Sequence, residues 1–79
     1  MTLFFLNQRL GSEYIPDHEG ADFDRLEDAR EEAVAAAREC MARMVLSGRL
    51  DLTASFEIIS PDGLSVIVPF SEALKIIDK

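Results

Sequence analysis

The spacing of apolar positions changes character along the chain, and each change predicts an element. Thr2 to Asn7 (TLFFLN) is short, apolar and aromatic-rich, which suits a strand better than a helix of that length. Leu3 and Phe5 fall on one face of it and Phe4 and Leu6 on the other, so both faces are apolar. Leu10-Gly11-Ser12 supplies a turn, and Glu13-Tyr14-Ile15 reads as a short second strand. Pro16 cannot donate to a ladder, which places that strand at an edge or at its end. Asp17 to Phe23 (DHEGADF) then reads as a polar loop, with Gly20 as its positive-φ position.

From there the period becomes helical. Leu26, Ala29, Ala33, Ala37, Cys40 and Met44 recur at steps of three and four, with Val34, Met41 and Val45 widening the stripe. Asp24 is the expected N-cap, because Glu27 three residues later completes a capping box. Ser47-Gly48 ends the helix, with Gly48 as the left-handed residue after it. At 1.5 Å per residue the helix is roughly 33 Å long. Acids fill its first turns and Arg38, Arg43 and Arg49 lie toward its end, which complements the helix dipole.

A period of two follows. Leu52, Ala54, Phe56 and Ile58 alternate with Thr53, Ser55, Glu57 and Ile59. Ser60-Pro61-Asp62-Gly63 is a turn, and Leu64, Val66, Val68 and Phe70 then alternate with Ser65, Ile67 and Pro69. The two strands form a hairpin. Ser71 is placed to cap a last helical turn through Ala73, Leu74 and Ile77, with an extended tail as the alternative. The predicted fold is α+β in the order β-β-α-β-β: a mainly antiparallel, four-stranded sheet with one long amphipathic helix on one face. Residues 1–79 make one domain. One helix covers one face only, so Phe4 or Phe5, with Ile59 and Ile67, is expected on the open side as an interaction surface.

The chain also resembles a family. The residues concerned are Asp17-His18-Glu19-Gly20, Leu26 to Ala33, the Ser60-Pro61-Asp62-Gly63 turn and Val68-Pro69-Phe70-Ser71. They are similar to a group of short bacterial proteins classed as a domain of unknown function. Those share an N-terminal aromatic strand, a D-x-E-G loop, an L-x-x-A-R-x-E-A helix, an x-D-G hairpin and a closing apolar strand. The resemblance implies a fold and a cellular context, and it brings no catalytic residues with it. Where members carry an acidic cap before the leucine, this chain has Arg25.

Charge narrows the choice of partners. The net charge is -7, with 15 acids against 8 bases, and nine of those acids lie between Glu13 and Glu32. Scattered bases on an acidic surface argue against direct nucleic acid or anionic membrane as partners, whereas a basic protein would be steered to the 13–32 edge. No apolar run reaches the ~20 residues that span a bilayer, and the N-terminus lacks the features of a signal peptide. The cytosol is the expected location, where a lone thiol stays reduced.

Candidate chemistry is sparse. Asp17, His18, Glu19 and Asp22 form the one cluster with metal-ligand character, but Asp22 stands where a calcium loop needs glycine. The plainer reading of that segment is a solvated loop. His18 is the single histidine, with no serine or cysteine near it in sequence. Cys40 sits on the apolar stripe and is expected to be a small buried hydrophobe. No catalytic residues and no cofactor are expected. Two readings of function follow: a non-enzymatic module that forms a homodimer or binds a protein partner, and a metal- or small-ligand-binding protein using the Asp17–Asp24 loop.

Overall fold

The computed structural model describes residues 2–77 as a helix laid on one face of a five-stranded antiparallel sheet. The molecule is 17 Å deep in its thinnest dimension, which fits two layers. The elements are β1 (Thr2–Leu10), β2 (Glu13–Ile15), β3 (Ala21–Phe23), α1 (Leu26–Leu46), β4 (Ser55–Ile59) and β5 (Ser65–Pro69). A 3₁₀ turn, Phe70–Ala73, follows. The α+β class and the single helix agree with the sequence reading, but the strand count does not.

β1 accounts for the difference. It runs three residues beyond Asn7 and fills the centre of the sheet. One of its edges pairs continuously with β4, from Phe5↔Ile59 to Arg9↔Ser55. Its other edge is shared. Gln8 to Leu10 pair with β2, and Thr2 to Phe4 pair with β3. Ala21–Phe23, expected as loop, is therefore a strand because the exposed half of a long β1 offers it unpaired backbone groups. Three residues carry no period from which to read it.

The helix begins one residue later than the capping box implies. Arg25 is the N-cap, in extended backbone and without a side-chain cap, and its carbonyl accepts from the Asp28 and Ala29 amides. Asp24 lies one residue outside. At the other end Gly48, at φ +87°, closes a Schellman arrangement. The Gly48 amide donates to the Val45 carbonyl and the Arg49 amide to that of Met44.

Ala29, Ala33, Ala37 and Met41 are the buried positions of α1. Three alanines in the stripe bring the helix axis close to the sheet, over Phe4, Phe56, Ile58 and Val68. Phe70 keeps the expected phase, buried beside Val68, but it opens the 3₁₀ turn instead of closing the strand. Its amide donates to the Ala54 carbonyl at 2.9 Å, and its ring, fully buried, lies 5.5 Å from that of Phe56. The 3₁₀ turn is fastened to the helix, where Arg38 Nε donates to the Ala73 carbonyl and Arg30 pairs with Glu72 at 3.0 Å. The tail thus leaves from the helix side, with Ile76 and Ile77 largely exposed. Among the described residues, no helix is long and apolar enough to cross a membrane.

Candidate functional site

Directly paired residues of a sheet share a face, so the registers fix which side chains look away from the helix. Phe5 lies opposite Ile59, Ile59 opposite Ser65, and Glu57 opposite Ile67. Leu3, Phe5, Ile59 and Ile67 therefore occupy the open face. Leu3 is 40% exposed and Ile67 is 48% exposed, whereas Phe5 and Ile59 are half-buried. Phe4 does not belong with them. It pairs with Ala21, is 5% exposed, and packs under the helix with its ring 6.1 Å from that of Phe23. The expectation of Phe4 as an open-face contact is corrected to Phe5, because the period of two cannot tell which phase of an all-apolar strand meets the helix.

Polar groups rim the apolar set. Arg9 lies 5.0 Å over the Tyr14 ring, a cation–π pair across β1 and β2. The Tyr14 hydroxyl donates to Glu57 Oε1 at 3.1 Å, and Ser65 Oγ donates to Glu57 Oε2 at 3.0 Å. Desolvation first, and then the hydrogen bond and negative charge of Glu57, push the Tyr14 phenol above its usual range against the opposing charge of Arg9.

The Asp17–Gly20 loop sits at the margin of this face and is a structural clip. Between the stretches of β1 paired with β3 and with β2, residues 5–7 have no strand partner on that edge. Asp17 fills the gap. Its Oδ2 accepts from the Leu6 amide at 3.2 Å, and its Oδ1 accepts from the Gly20 and Glu19 amides at 3.0 and 3.3 Å. The Asp17 amide in turn donates to Asn7 Oδ1 at 2.8 Å, which satisfies a nearly buried side chain. Burial opposes ionisation of Asp17, but the donated bonds from Gly20, Leu6 and Glu19, with the charge of His18, outweigh it and hold the carboxyl below its usual range.

Gly20 completes the clip at φ +72°. A Cβ there would come within 3.0 Å of the Leu3 and Phe5 side chains and of the Phe4 carbonyl oxygen. The D-x-E-G motif therefore has a packing explanation. His18 and Glu19 are exposed on the loop, and Asp22 is exposed on β3 opposite Leu3. Among the described residues, no group of three or more His, Cys, Asp or Glu side chains is placed to hold a metal ion.

Cys40 is half-buried rather than enclosed. It lies at the edge of the stripe, where its Sγ accepts from Gln8 Nε2 at 3.2 Å. Sequence reasoning missed Leu3, Asn7, Arg9 and Tyr14, whose roles depend on register, and the one usable signal was the alternation within TLFFLNQRL.

A family model, Domain of unknown function (DUF6894), matches residues 3–71. No curated protein and no solved structure matches the chain.

Proposed function

The chain belongs to the DUF6894 family of unknown function, and from its own surface we propose a small non-enzymatic interaction module that forms a homodimer through the open sheet face. The observation that carries this reading is the apolar set Leu3, Phe5, Ile59 and Ile67 on the face that α1 leaves uncovered. Charge supports it. Arg9, Asp22 and Glu57 are the charged residues on that face by register, so two copies meet there with little like-charge repulsion despite a net charge of -7 each. The C-terminal turn is anchored on the helix side through Ala73, and Ile76 and Ile77 beyond it are largely exposed, which supports an uncovered face. A cytosolic location, with the Cys40 thiol reduced, is part of the same proposal.

Complete burial of one such side chain is worth ~1.5–3 kcal/mol, and association costs about 4–15 kcal/mol. Phe5 and Ile59 are already half-buried, which trims the gain and favours a dimer of micromolar strength. Sedimentation equilibrium at ~100 μM should give a mass near twice 8.8 kDa for the wild type, well above a micromolar dissociation constant. The double variant Ile59→Lys/Ile67→Lys should be monomeric. A monomeric wild type at that concentration sinks the proposal.

A further inference from the structure

The end of the molecule where α1 begins holds an apolar slot on the helix side of the sheet, opposite the open face. Its volume is about 370 Å³, in the range of a small ligand site. Phe4 forms the floor; Leu26, from the first turn of α1, and Val66 and Leu64, from the β4–β5 hairpin, form the walls. The floor is buried, but Leu26 is 37% exposed and Leu64 is 66% exposed, so the walls present apolar area to whatever enters.

The rim is acidic. Asp62 lines the mouth, with one carboxylate oxygen accepting from Ser60 Oγ. Asp24, Glu27 and Asp28 flank Leu26 in the chain, and Arg25, paired with Asp28 at 3.6 Å, is the one cation among them. Of these carboxylates Asp62 lines the apolar cavity itself, while Asp24, Glu27 and Asp28 adjoin Leu26 in the chain, with one guanidinium among them. Ser60 is already committed, since its Oγ also accepts from the Leu64 amide at 3.1 Å. The slot therefore offers shape and apolar contact inside and negative charge outside.

We propose that this slot receives one large apolar side chain from a basic segment of a protein partner, with lysines or arginines on either side of it meeting Asp62, Asp24 and Glu27. Charge complementarity selects the occupant: an acidic or neutral segment would meet the same apolar walls without the rim, and a second copy of this acidic chain would meet repulsion. The carboxylates steer encounter and the slot gives the anchor its affinity.

The test uses the full chain, ¹⁵N-labelled, titrated with a short peptide carrying one phenylalanine between pairs of lysines. Saturable amide shifts should centre on Leu26, Leu64 and Val66 and weaken as salt is raised. Changing the phenylalanine to alanine should weaken binding about tenfold or more, because the buried apolar area is lost. Replacing the lysines with glutamates should abolish it. Leu64→Ser, at a position too exposed to matter for the core, and Asp62→Asn should each weaken binding with the fold intact. The proposal is overturned if the alanine peptide binds as well as its parent, if the glutamate peptide does, or if no saturable shift appears at these residues.

Discussion

The two edges of β1 are held by different means. Toward β4 the contact is a regular ladder of five residue pairs, made by backbone groups. Toward β2 and β3 the ladder is broken by the loop at 16–20, and the gap is closed by the side chains of Asp17 and Asn7 and by the close approach of Gly20. A backbone ladder is indifferent to most substitutions that keep the face pattern, whereas a side-chain clip is not. The same strand therefore has one edge that tolerates sequence change and one that demands particular residues.

The largest effect is expected at Gly20. Gly20→Ala combines a left-handed backbone, unfavourable for an L side chain by ~1–2 kcal/mol, with overpacking against the Phe4 carbonyl and the Leu3 and Phe5 side chains at ~1–3 kcal/mol. Urea unfolding should show a loss of about 2–5 kcal/mol. A midpoint like that of the wild type would mean that the loop rearranges freely and that the clip is not needed.

Asp17 comes next. Asp17→Ala leaves the part-buried Leu6 amide without its acceptor, at a cost of ~1–3 kcal/mol, and Asp17→Asn should lose less because it keeps an oxygen acceptor. The pH dependence follows from the depressed folded-state pKa of Asp17. The unfolded state binds the proton more readily, so this contribution is present above the ordinary carboxylate pKa of about 3.9 and is lost as pH falls through the folded value. The stability gap between wild type and Asp17→Asn should therefore narrow as the solution is acidified below about pH 4. A gap that is constant with pH would remove the ionised carboxylate from the argument.

The smallest effect is expected on the β4 side. Glu57→Gln alters what Tyr14 and Ser65 touch but no ladder bond, so the unfolding midpoint should stay in place while the Tyr14 phenol titrates closer to its ordinary value. A marked loss of stability would show that this edge, too, leans on side chains.

Legibility in the sequence follows the same division. The helix was readable because alanines and Met41 repeat with its period and Gly48 closes it, and the β4–β5 hairpin because alternation flanks Ser60-Pro61-Asp62-Gly63. β3 was not readable, since three residues show no period and their partner is set by how far β1 extends. Asp17 and His18 attract attention as metal-ligand types, yet Asp17 uses its carboxylate on backbone amides. The slot beside Leu26 was invisible because Phe4, Leu26 and Leu64 lie far apart in the chain.

By itself, then, the sequence determined the α+β class, the single helix with its small-residue face and the closing hairpin, because periodicity and turn chemistry act over neighbouring residues. Only the tertiary structure decided that Phe5 and not Phe4 faces away from the helix, that Asp17 repairs a broken ladder, and that Phe4, Leu26 and Leu64 meet around an apolar slot with Asp62 at its mouth. Each of these depends on register and on groups brought together from distant positions, and a one-residue change of register would move every side chain of a strand to the other face.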